Sequence, residues 1–198
     1  MKALVTKDVY VLLKQMKIFF LAILIFSLLP NLSSNIFAMV YAGMLPYSAL
    51  AYDERSKWDQ LAAMMPYSNK ALVVSKYVLG YLFLAISMGL TLAVQLALRV
   101  FTHNAVTPAA TLITACVAAM LIAATLPFMF RFGVEKGRMV FIFVIVGVAA
   151  FAGTLVTSFA EGGNTLPPAL MLALPLLAVA VNAVSIPLAI RLYGKRQR

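Results

Sequence analysis

Five stretches of the chain, residues 18–52, 77–98, 100–130, 139–160 and 162–190, contain no Asp, Glu, Lys or Arg. Together they take up 139 of the 198 residues. A helix crossing a bilayer core needs about 20 apolar residues at 1.5 Å rise each, so every stretch is long enough to span. Soluble domains average about 25% charged residues, whereas this chain has 11%, with 64% apolar or aromatic and a mean hydropathy of +0.98. So few charges cannot cover a surface that faces water. The expected fold is an all-α polytopic membrane protein.

The segments between the stretches limit what else the chain carries. The longest, 53–76, has 24 residues, and a unit with its own core usually needs at least about 40. An appended catalytic domain is therefore excluded. The single cysteine, Cys116, lies inside an apolar stretch, has no internal disulfide partner and is read as a small core residue.

The first stretch is too long for one crossing, since 35 residues of helix would run about 52 Å against a hydrocarbon core of about 30 Å. Pro30-Asn31-Leu32-Ser33-Ser34-Asn35 in its middle combines a helix breaker with turn and cap formers. Six spans are expected, at about 18–30, 35–52, 77–98, 107–130, 139–160 and 169–190, the first two short. Basic residues gather on the cytoplasmic side of membrane proteins, and this gives the count a test. Six spans with the N-terminus inside place 15 of the 16 Lys and Arg residues inside and only Arg99 outside. One crossing by the first stretch would leave five inside and eleven outside. Six spans with both termini cytoplasmic are the arrangement that the charges favour, and the net charge of +10 is a topology signal and does not mark a nucleic-acid partner.

Residues 1–34 also fit a cleaved signal peptide, with a basic start before an apolar segment. Against that, Val5, Val9, Leu12, Leu13 and Met16 recur at the spacing of one helical face, with Lys7, Lys14 and Lys17 on the other. Residues 1–17 are therefore expected to form a basic amphipathic helix at the membrane interface, ahead of a single transmembrane domain over 18–198.

Groups for catalysis or ion coupling are sparse. Ion-coupled transporters carry ionisable residues within their spans, and here only His103 falls in one of the uncharged stretches. No HExxH, paired carboxylates, metal-ligand spacing or Walker A sequence occurs. No catalytic residue and no metal ligand is assigned, and energy for uphill transport has to come from a partner. Tyr41, Ser48 and Tyr52 share one face of the second span, and Gly80, Ser87, Thr91 and Gln95 one face of the third. Such rows of small and hydroxyl residues serve helix packing or line a path for an amphipathic substrate.

The connection 53–76 carries the clearest local pattern. Trp58, Leu61, Ala62 and Met65 recur at i, i+3, i+4 and i+7, which predicts a short amphipathic helix stopped at Pro66. Ser68 is placed to cap the helix that follows through Lys70 and Lys76 into the third span. This short helix either lies on the inner membrane face with Trp58 as an anchor, or presents Trp58, Leu61 and Met65 within a rim of Asp53, Glu54, Lys57 and Asp59 to a partner.

Asp53-Glu54, Lys57-Trp58-Asp59, Met65-Pro66-Tyr67-Ser68-Asn69-Lys70 and Val74-Ser75-Lys76-Tyr77 together resemble the membrane subunits of bacterial ABC-2 type transporters, which read DE, WD, LPxxRK and SKY between spans two and three. Met65 stands where leucine is usual and Asn69 where a basic residue is. The resemblance implies a permease subunit of an ATP-binding-cassette transporter in the bacterial cytoplasmic membrane, usually an exporter. It further implies pairing with a second permease, identical or paralogous, and with two copies of a separate ATPase that holds the ATP and Mg. By the same resemblance Asp53, Glu54, Trp58, Asp59, Leu61, Met65 and Lys70 would contact the ATPase, with residues 131–138 as a lesser contact. An uncharged interior suits a hydrophobic or amphipathic cargo such as a peptide, lipid or drug-like molecule. Two other readings stand beside it: a non-transporting immunity or assembly factor, and an intramembrane enzyme using Arg99, His103, Asn104 and Glu161.

Overall fold

The computed structural model describes residues 2–15, 17–29, 32–101, 108–162 and 168–196, and the regular structure among them is all helical. Seven helices follow in order: α1 (Lys2–Gln15), α2 (Lys17–Leu28), α3 (Leu32–Arg55), α4 (Trp58–Met64), α5 (Asn69–Phe101), α6 (Pro108–Gly162) and α7 (Pro168–Arg196). Among the described residues, three stretches, Asn69–Ala97, Thr111–Gly147 and Ala173–Gly194, are long and apolar enough to cross a membrane.

The 55 residues of α6 do not form one rod. Gly133 adopts φ 81° and ψ 172°, a conformation essentially restricted to glycine because a Cβ would meet the backbone. Beyond it the chain folds back on itself. A Cβ built on Gly137 would lie 3.0 Å from the Cα of Met129, whereas eight residues along a continuous helix are about 12 Å apart. The rings of Tyr47 and Phe141 meet edge to face at 4.6 Å, while the Tyr47 hydroxyl reaches Thr125 on the other arm. Thr125 and Phe141 are each eight residues from Gly133, so α6 is an antiparallel helical hairpin with its tip at the expected 131–138 connection.

With α6 counted as two arms, the described residues form a bundle of α2, α3, α5, the two α6 arms and α7. The α2–α3 pair reverses as the Pro30 region predicts, bringing the Phe26 ring within 5.6 Å of both Phe37 and Tyr41. α2 is short at 12 residues, and α3 at 24 residues extends beyond the predicted 35–52 at both ends. Pro46, Pro127, Pro175 and Pro187 all lie within helices. The main core joins Met39 and Tyr47 of α3, Val73 and Tyr77 of α5, Leu121 to Phe130 of α6, and Ala189 and Tyr193 of α7.

α1 differs from the expected surface helix in how it is fastened. Leu4, Asp8 and Leu12 are its buried residues, with Val5 and Val9 partly buried and Leu13 exposed. The inward face thus lies slightly to one side of the one that the apolar spacing indicates. The reason is Asp8, an acid that periodicity of apolar residues cannot register and that binds α1 to the bundle.

Candidate functional site

Five helices and the tip of the α6 hairpin meet at one end of the bundle, and there the charged residues of three of them form a closed square. Lys7 Nζ lies 3.0 Å from Asp8 Oδ1 and 2.6 Å from Asp53 Oδ1. Lys76 Nζ lies 2.6 Å from Asp8 Oδ2 and 2.5 Å from Asp53 Oδ2. Each carboxylate therefore takes both lysines, and the formal charges cancel. Asp8, Asp53 and Lys76 are buried, and the Lys7 side chain is 26% exposed. Isolated buried charges cost several kcal/mol in desolvation, and removing one partner from a buried pair costs about 3–5 kcal/mol. The square is what allows α1, the end of α3 and the start of α5 to pack here.

α4 is attached beside the square. Lys57, which links it to α3, has φ 53° and ψ 34°, the left-handed region that most side chains avoid. The reversal it makes brings Trp58 back onto the bundle, where its ring lies half-buried with Lys7 Nζ 4.0 Å from the ring centroid. Ala62 is buried one turn on. At Met65 the backbone turns extended before Pro66, as the residue preceding a proline tends to do. The Ala71 N–H then donates to Ser68 Oγ at 3.2 Å, which is the predicted N-cap of α5.

The predicted apolar row on α4 is divided between two faces. Trp58 and Ala62 turn inward, while Leu61, Met64 and Met65 are 49%, 85% and 39% exposed. Lys70 is exposed at the start of α5. The side chain of Asp59 lies outside the described residues. Glu54 reaches across the end of the bundle, its Oε2 accepting the Val134 N–H at 2.8 Å. Val134 begins the second arm of α6, so Glu54 occupies the position of a helix N-cap partner and joins the 53–76 connection to the hairpin tip.

The two polar rows of the spans meet neighbouring helices. Thr91 Oγ1 and Ser27 Oγ lie 3.1 Å apart, Ser87 Oγ donates to the Ala38 carbonyl at 3.4 Å, and Thr111 Oγ1 donates to Gln95 Oε1 at 2.9 Å. On α3, Tyr41 stacks on Phe26, Ser48 donates to the Met44 carbonyl of its own helix, and Tyr52 is half-buried. A second set of polar contacts joins Tyr77, named above only within the family pattern, and Tyr81 to residues that the spacing did not single out. Tyr77 and Ser185 hydroxyls lie 2.6 Å apart, Ser185 donates to the Ala123 carbonyl, and Tyr81 bonds Asn182, which together fix α7 against α5 and α6. Arg99, His103, Asn104 and Glu161 lie outside the described side chains.

The cleft beside the square, lined by Leu4, Leu50, Trp58, Leu72 and Phe130 together with the four charges, holds about 20 Å³, space for roughly one water. Among the described residues no group of three His, Cys, Asp or Glu could hold a metal ion. The arrangement is a charge clamp joining α1, α3 and α5, with the apolar edge of α4 left outward.

The sequence model of the family described as ABC-2 family transporter protein matches residues 3–194. The chain belongs to that family. No curated protein and no solved structure matches it. The match covers the bundle from α1 to the end of α7, so this ABC-2 family protein is a multi-pass membrane component of a transporter, a permease subunit. The family associates with an ABC ATPase subunit, and its membrane component is not itself the catalytic one.

Proposed function

We propose that this permease crosses the bacterial cytoplasmic membrane six times, with both termini in the cytoplasm, and exports a hydrophobic or amphipathic substrate using ATP hydrolysed by a separate ATPase. Two copies of that ATPase, which hold the ATP and Mg, would serve two permease subunits, identical or paralogous. The 53–76 connection is the contact between permease and ATPase. One observation carries this reading: Lys7 and Asp8, Asp53 to Met65, Lys76, Val134 and Tyr193 all gather at the α4 end. That the two terminal helices and both connections rich in Lys and Arg meet at one end of the bundle supports an even number of crossings, which the distribution of basic residues also favours.

The exposed edge of α4 supports the same reading. Leu61, Met64 and Met65 form an apolar group with Arg55, Lys57 and Lys70 exposed nearby in sequence, and apolar centres with charged rims are the pattern of protein contacts. Interhelical hydroxyl bonds replace ionisable groups inside the spans, which favours an energy source outside this chain. The test is co-expression with ABC ATPases of the same organism, reconstitution, and measurement of ATP turnover with and without candidate lipids, peptides and drug-like compounds. A co-purified complex whose turnover rises with a substrate is expected. A permease that binds no ATPase, or turnover indifferent to the permease, would overturn the proposal.

A further inference from the structure

α4 has seven residues, and isolated helices shorter than about 12–15 residues are marginal in water. Its orientation therefore depends on its anchors, which are Ala62 in the core and Trp58 under the Lys7 ammonium. That ammonium is itself fixed, held at 3.0 Å by Asp8 and at 2.6 Å by Asp53. We propose that Lys7 and Asp8 of α1 are positioning residues for α4, setting through the charge square and the Trp58 ring the orientation in which α4 transmits force. Neither touches the exposed edge of α4; they act through Trp58.

The geometry separates this role from plain structural support. With Lys7 and Asp8 both neutralised, Lys76 and Asp53 remain a balanced buried pair at 2.5 Å, so the link between α3 and α5 persists while the hold on Trp58 is lost. Lys7→Arg keeps a cation within reach of the ring and of Asp53. The charge-balanced variant K7M/D8N should thus keep the bundle and release α4.

The experiment uses the full chain in proteoliposomes, with Cys116→Ala and a spin label on Met64→Cys, an 85% exposed site on α4. In K7M/D8N the label should gain mobility while the thermal unfolding midpoint stays near that of the parent, and Lys7→Arg should leave mobility at the parental level. If K7M/D8N fails to fold, K7Q/D8N, which keeps the charge balance and puts hydrogen-bonding groups at both positions, serves as the second variant, with the same expected gain. Unchanged mobility in the folded variants overturns the positioning role. A second measurement, which rests on the permease reading above, is transport per ATP with the ATPase partner bound. It should fall about tenfold in K7M/D8N, the size of effect that follows from losing a partly desolvated cation–π contact. Increased mobility in a chain that binds no ATPase would support the positioning role and overturn the permease reading, whereas full transport per ATP in K7M/D8N would overturn the positioning role alone.

Discussion

Glu54 Oε2 accepts the backbone N–H of Val134 at 2.8 Å, joining residues 80 apart in the chain. The contact puts a carboxylate at the start of the second α6 arm, where unpaired N–H groups and the helix dipole favour negative charge. Asp53, the residue before it, reaches into the square with Lys7 and Lys76. The last turn of α3 is consequently the point where α1, α5 and the α6 hairpin are tied together.

Removing the Glu54 carboxylate leaves an N–H at the hairpin tip without this acceptor. Glu54→Ala is expected to cost about 1 kcal/mol, the usual loss of a helix cap, and Glu54→Gln, which keeps an amide oxygen, should cost less. Thermal unfolding of the purified protein in detergent measures both. Equal midpoints for parent and Glu54→Ala would contradict the capping role.

Gly133 makes the hairpin possible, and substitution there should be costly. With φ 81° and ψ 172° it lies where a residue with a Cβ pays about 1–3 kcal/mol. Gly133→Ala should lower both the yield of folded protein and the unfolding midpoint. Gly147 provides the control, since a Cβ there meets nothing within 4 Å; Gly147→Ala should be neutral or stabilise by about 0.5–1 kcal/mol, as expected inside a helix. Similar losses at the two sites would mean that the reversal at Gly133 is wrongly described.

Part of this architecture was legible in the sequence for a simple reason: helices and their caps and stops are local. The apolar helices, the stop at Pro66 and the Ser68 cap each depend on a few adjacent residues. The square was not legible, because pairing Asp8 with Lys76 needs contacts 68 residues apart. Its traces were present, however. Asp8 stands between Leu4 and Leu12 on a helix otherwise packed by apolar groups, and Lys76 lies one turn from Val73 and beside Tyr77, both buried. A lysine on that face requires a counter-charge. The α4 row was divided because a seven-residue helix takes its inward direction from its anchors, and Trp58 was drawn in by Lys7.

Lys57 offers a test of the α3–α4 turn. Its left-handed conformation, φ 53°, costs a residue with a side chain about 1–2 kcal/mol, part of which glycine recovers at the expense of a more flexible unfolded chain. Lys57→Gly should raise the unfolding midpoint slightly, and the β-branched Lys57→Val should lower it. The reverse order would contradict the geometry of the turn.

The central claim is that the exposed edge of α4 meets the ATPase. Met64→Cys on a Cys116→Ala background, treated with a bifunctional maleimide in membranes containing the co-expressed ATPase, tests it directly. A cross-linked product containing this permease and ATPase peptides is predicted. Tyr10→Cys, 67% exposed on the basic side of α1 and outside the 53–76 connection, should give much less. No product at Met64→Cys, or equal amounts at the two positions, would contradict the account.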